Sequence, residues 1–219
     1  MARRAGRPTW LALCFTGCFV VLAVLVATGV TDSLDTRAIR LLRPNDAWDV
    51  TQVRWSPWIS RLEPERMYGL LAATALAASA WRRSSGPAVF AAALAGVSVV
   101  LTLVTKLALE RPDPHGYVTG SGGSYPSGHL VAVVVCLAGC LLLVWPRVRW
   151  WAWSPVAIAA ALMTVAMLVS AAHWPTDVLG GVFLSLAVVS AASGLRLRQR
   201  AFGRAPRNAS SRGATTSAS

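Results

Sequence analysis

The chain has 219 residues, 55% of them hydrophobic, a mean hydropathy of +0.52 and a formal net charge of +12. Only 14% are charged, against roughly 25% in ordinary soluble domains, which argues against a soluble globular enzyme. Several apolar runs approach the roughly 20 residues that a helix needs to cross a bilayer core, so the composition points to one integral membrane bundle.

In chain order the sequence predicts an all-α, polytopic membrane helical bundle of six transmembrane helices. The spans fall at about 9–30, 67–81, 87–105, 128–145, 151–172 and 178–195. The second is short and can begin near Pro64. The first follows Arg3, Arg4 and Arg7, as a signal peptide would. It is longer than a signal h-region, and no clear A-x-A cleavage site follows, so a retained anchor is the better reading. Residues 1–8 form the expected cytoplasmic N-terminus, 9–195 the six-span domain, and 196–219 a basic, disordered cytoplasmic tail.

Six spans put both termini on one side. That side then carries Arg3, Arg4, Arg7, Arg82, Arg83, Arg147, Arg149 and the arginines of the tail, with no Asp or Glu. The other side carries Arg37, Arg40, Arg43, Arg54, Arg61, Arg66, Lys106 and Arg111 together with every acid in the chain. Cytoplasmic loops are enriched in Lys and Arg, so the termini are expected inside. The same asymmetry accounts for the +12 without nucleic acid as a partner; the basic tail suits anionic lipid headgroups. Trp81, Trp145, Trp150, Trp151 and Trp153 fall where spans meet the inner interface. Cys14 with Cys18, and Cys136 with Cys140, sit at i,i+4 inside apolar runs without nearby His or carboxylates, a packing pattern rather than a metal site.

The outer connection 31–66 mixes charges with Leu41, Leu42, Trp48, Val53, Trp55, Trp58 and Ile59. It reads as an outer amphipathic loop of short helices on the membrane surface. The second outer loop, 106–127, contains the turn-rich stretch GSGGSYPSG.

Polar groups converge at this outer side. Lys106, the only lysine in the chain, and Arg111 leave the third span; Ser127, Gly128 and His129 begin the fourth; His173 ends the fifth and Asp177 begins the sixth. Taken singly, each has a plainer explanation. Lys106 can snorkel, PSGH can be a capped helix start, and HWPTD can be a polar turn with Asp177 as a cap. Together they suit phosphate chemistry. A helix start with free N–H groups binds anions, glycine lets backbone approach a ligand, and a carboxylate four residues after a histidine can orient its ring as a nucleophile.

With KLALERPDP at 106–114, YPSGH at 125–129 and AMLVSAAHWPTD at 166–177, the chain resembles the type 2 phosphatidic acid phosphatase family, membrane lipid phosphatases related to vanadium haloperoxidases. The resemblance covers about 70–195 and implies a metal-independent phosphatase with no cofactor, acting on a lipid phosphate or diphosphate substrate at the bilayer. It implies His173 as nucleophile, Asp177 as its orienting partner and His129 as the acid for the leaving oxygen. Lys106, Arg111, Ser127 and the Gly128 amide would hold the phosphate. Two positions depart from the family pattern. Asp113 stands where the arginine of the first motif falls, and Ala166–Met167 where the third motif has Ser-Arg. Losing one transition-state donor can cost roughly 10²–10³ in rate. The alternative is therefore a catalytically weak or inactive relative that binds phospholipid headgroups or scaffolds a membrane complex. A transporter would need ionisable residues mid-span, and these are lacking.

Overall fold

The structure is a computed structural model that describes residues 7–44, 47–120, 122–145 and 147–194. The expectations for residues 1–6 and for the tail from 196 lie outside these residues. Among the described residues the regular structure is helical, apart from one isolated bridge between Thr119 and Gly122. The helices are α1 (Arg7–Ala27), α2 (Asp32–Leu42), α3 (Val50–Trp55), α4 (Pro57–Arg61), α5 (Pro64–Arg82), α6 (Gly86–Leu109), α7 (Gly128–Val144), α8 (Ser154–Val169) and α9 (Pro175–Gly194). A 3-10 turn, Trp150–Trp153, leads into α8.

Local chemistry sets the boundaries. Proline stands in the first turn of α4, α5, α6 and α8, where its missing N–H costs nothing. The α5–α6 hairpin closes with Arg83 in the left-handed region and the Ala88 amide bonded to Ser79 Oγ. α3 starts with a capping box between Asp49 and Gln52. α8 ends at Val169, and Ala171, with a φ of 50°, turns the chain toward His173.

Four helical segments are long and apolar enough to cross a membrane: Thr9–Ala27, Gly86–Leu109, Trp150–Val169 and Pro175–Gly194. They correspond to the first, third, fifth and sixth expected spans. The other two differ. α7 is apolar but has only 17 residues, about 25 Å at 1.5 Å per residue. α5 has 19 residues but carries Glu65, Arg66 and Arg82, and is not among the membrane-length apolar helices.

α7 is the centre of the bundle, packed by α5, α6, α8 and α9, while α1 lies along α9. The α7 side chains Leu130, Val131, Ala132, Val133, Val135 and Cys136 are almost wholly inaccessible. A β-carbon on Gly139 would come within 2.8 Å of Leu94 and 2.9 Å of Leu71, so glycine there permits the close approach of α5 and α6.

Consecutive long helices alternate in direction. The C-terminal ends of α6 and α8 therefore meet the N-terminal ends of α7 and α9. Helices α2–α4 cover this same end, bonding to it through Gln52 Nε2 to the Val169 carbonyl (3.3 Å) and Arg43 to the Ser170 carbonyl (3.4 Å). The described residues of 31–66 include the short helices α2, α3 and α4, from which Asp35 and Gln52 turn inward and are buried.

Candidate functional site

The loop after α6 folds back onto its own helix. The Gly123 amide donates to the Lys106 carbonyl (3.0 Å), and the Ser124 amide to the Arg111 carbonyl (2.7 Å). Any β-carbon on Gly123 would overlap the Arg111 backbone; only glycine fits. Tyr125 anchors the other side. Its ring is fully buried, stacks on Phe19 with centroids 5.8 Å apart, and donates its hydroxyl to the Phe19 carbonyl. Gly180 and Gly181 on α9 leave room for it: a β-carbon at Gly180 would sit 2.5 Å from the Tyr125 ring, and one at Gly181 3.1 Å from the Ser127 carbonyl. The second half of HWPTDVLGG is thus the surface on which YPSGH rests.

Between these parts lies a cavity of about 280 Å³, lined by Lys106, Asp113, Ser124, Gly128, His129 and His173 among others. Lys106 Nζ donates to the Gly123 carbonyl at 2.6 Å. Ser127 holds the N-cap position of α7, but its hydroxyl makes no capping bond, so it does not compete for the first-turn amides at Gly128 and His129. His173 Nδ1 faces Asp177 Oδ2 at 3.4 Å, and the same oxygen accepts the Trp174 amide at 3.0 Å.

Two residues expected at the phosphate lie elsewhere. The Ser127 hydroxyl is buried and donates to Met167 Sδ at 3.1 Å. Arg111 turns away from the cavity to the far side of Asp177. Its guanidinium donates to Asp177 Oδ1 (2.8 Å), Thr176 Oγ1 (2.8 Å) and Asp35 Oδ2 (2.7 Å), and lies over the Trp174 ring. Two buried carboxylates hold it more strongly than an open cavity can. Burial works against its charge, but the bonds to Asp35 and Asp177 outweigh that and raise its pKa above the usual value.

A family model for the PAP2 superfamily matches residues 16–200. The chain belongs to the PAP2 superfamily. Among solved structures, a transmembrane PAP2-type phosphatidylglycerolphosphate phosphatase from Bacillus subtilis matches with a TM-score of 0.72 and 18% identity, over 84% of this chain and 95% of that one. No curated protein sequence matches significantly. This PAP2 chain is therefore a helical membrane protein in which the three quoted motifs meet at one end of the bundle.

Within this PAP2 frame the two departures have visible consequences. Asp113 lines the cavity, and its Oδ1 accepts the amides of His115 and Tyr117; it orders the loop where the family pattern has an arginine. Met167 is buried against Ser127. The sequence pattern did not reveal Asp35 and Thr176. Asp35 Oδ1 accepts the Thr176 amide at 3.1 Å, and Oδ2 accepts the Thr176 hydroxyl at 2.5 Å. Nothing local separates Asp35 from its exposed neighbour Asp32; 141 residues separate it from its partner.

Proposed function

We propose that this PAP2 chain hydrolyses a lipid phosphomonoester or diphosphate, by way of a phosphohistidine on His173, at the outer face of the cell membrane. The observation that carries the reading is the His173–Asp177 pair facing a cavity shared with His129 and Lys106. With Nδ1–H donated to Asp177, Nε2 is the free nucleophile. It attacks the terminal phosphorus as the bond to the leaving oxygen breaks, the lipid oxygen of a phosphomonoester or the bridging oxygen of a diphosphate, and His129 supplies the proton to that oxygen. Water then cleaves the phosphohistidine, releasing inorganic phosphate and restoring both rings. Lys106 and the Gly128 amide hold the phosphate oxygens, stabilising charge by fixed donors without a metal ion.

Membership of the superfamily supports a phosphatase. The lipid substrate rests on the membrane-length helices and on an apolar cleft of about 340 Å³ between α1, α6 and α9, lined by Phe19, Leu101 and Leu184 among others. Leu101 is five residues below Lys106, about 7.5 Å along the helix, so an acyl or polyprenyl chain in the cleft leaves its phosphate near the cavity. The six-span layout with both termini inside rests on the charge asymmetry, which also puts the site outside.

A second reading, headgroup binding without turnover, is favoured by Asp113, a carboxylate on a cavity meant for an anion. Phosphate release by the detergent-purified protein separates the two. The panel comprises phosphatidic acid, phosphatidylglycerol phosphate and polyprenyl diphosphates, with EDTA present, beside His173→Ala. Release that disappears in the variant supports the phosphatase; lipid binding with no release from any substrate supports the binder.

A further inference from the structure

We propose that Asp35 and Arg111 are positioning residues for His173, joined to it through Asp177 in one buried chain, Asp35–Arg111–Asp177–His173. The proposal rests on His173 being the nucleophile, as read above.

The two carboxylate–guanidinium links are short, at 2.7 and 2.8 Å, the Asp177–His173 link is 3.4 Å, and the two carboxylates are sealed from solvent. Asp35 is 1% exposed and Asp177 0%. Arg111 takes Oδ1 of Asp177 and leaves Oδ2 to His173 and the Trp174 amide, so the carboxylate cannot rotate away from the ring. A lone arginine in that place would also draw the Asp177 charge away from His173. Asp35 balances it. The trio Asp35, Arg111 and Asp177 carries one net negative charge behind the imidazole, which gains positive charge when it bonds to phosphorus. Each Asp35 oxygen has a partner in Arg111 or Thr176, as a buried carboxylate requires.

A plain staple between α2 and α9 would show the same bonds. The difference is electrostatic and has a sign. Neutralising Asp35 leaves Arg111 free to weaken Asp177, so the imidazolium loses support and His173 titrates at lower pH. Neutralising Arg111 does the opposite. The other ionisable groups on the His173 cavity are His129 on α7, Lys106 on α6, and Asp113 and Tyr117 in the loop. Arg43 reaches the Ser170 carbonyl and His115, and Asp32 reaches Arg111. None of these groups is altered in Asp35→Asn; in Arg111→Gln, Asp32, which is exposed, loses its ion pair with Arg111.

The test uses the full chain in detergent micelles with ring-¹⁵N histidine. The three histidines are assigned through His115→Gln and His129→Gln, and phosphate release is followed in parallel. In Asp35→Asn the His173 midpoint should fall by roughly half a pH unit or more; kcat should fall roughly tenfold with KM little changed, and Asp35→Glu should recover part of both. In Arg111→Gln the midpoint should rise, which also decides the matter if Asp35→Asn does not fold. A midpoint unmoved in a folded variant overturns the charge chain, even if activity falls. Midpoints that move as stated in a protein releasing no phosphate uphold the chain and remove the phosphatase reading instead.

Discussion

Asp177 divides its carboxylate between two partners: Oδ2 faces His173 Nδ1 at 3.4 Å, and Oδ1 accepts Arg111 Nη1 at 2.8 Å. Asp177→Asn keeps the shape but offers only one acceptor, with no charge. On the proposed mechanism it should lower kcat by roughly 10²–10⁴, as loss of the orienting acid does in other His–Asp pairs. Arg111 retains Asp35, so the loss in stability should be about 1–3 kcal/mol. Steady-state phosphate release and thermal unfolding in detergent measure the two effects.

Ser127 and Lys106 should part company. The Ser127 hydroxyl points to Met167 and not to the cavity, so Ser127→Ala should keep kcat/KM within about threefold, since its bond to a neutral sulfur contributes about 1 kcal/mol or less. Lys106→Met removes a cation lining the cavity and should cost roughly 10² or more. A large loss in Ser127→Ala would mean that the hydroxyl swings to the phosphate during turnover.

The two motif glycines also separate. A β-carbon at Gly180 meets the Tyr125 ring at 2.5 Å, whereas one at Gly128 meets Lys106 and Thr102 at an ordinary 3.7 Å. Gly180→Ala should therefore destabilise the fold by about 1–3 kcal/mol. Gly128→Ala should fold normally and lose activity by narrowing the cavity. Unfolding curves of the two variants, with their activities, check the contrast.

Sidedness is open to labelling. Val118, 49% exposed at the site end, becomes a reporter in Val118→Cys; Arg147→Cys reports the opposite end. Intact cells treated with a membrane-impermeant maleimide should label the first and spare the second until permeabilised. The reverse order would put the site inside.

Long apolar runs made four membrane-length helices legible from the sequence, because burial in lipid demands continuous hydrophobicity. Lys106, Gly128, His129 and His173 could be assigned to one end of the bundle because consecutive spans alternate in direction. The direction of Arg111 was not legible. It depends on Asp35 and Asp177, carboxylates 76 and 66 residues away, and no local pattern encodes that choice. The direction of the Ser127 hydroxyl was not legible for a related reason: its partner, Met167, is 40 residues distant. The shared surface of Gly180, Gly181 and Tyr125 is visible only once α9 and the loop are in contact.

The most direct test of the proposed mechanism is to trap the covalent intermediate. The purified protein is mixed with lipid carrying a ³²P-labelled terminal phosphate, quenched in alkali within one turnover, digested and mapped. Acid-labile, base-stable label on the peptide containing His173, absent in His173→Ala, is the predicted result. Phosphate release at full rate by His173→Ala, with no label on that peptide in the wild-type protein, would contradict the account.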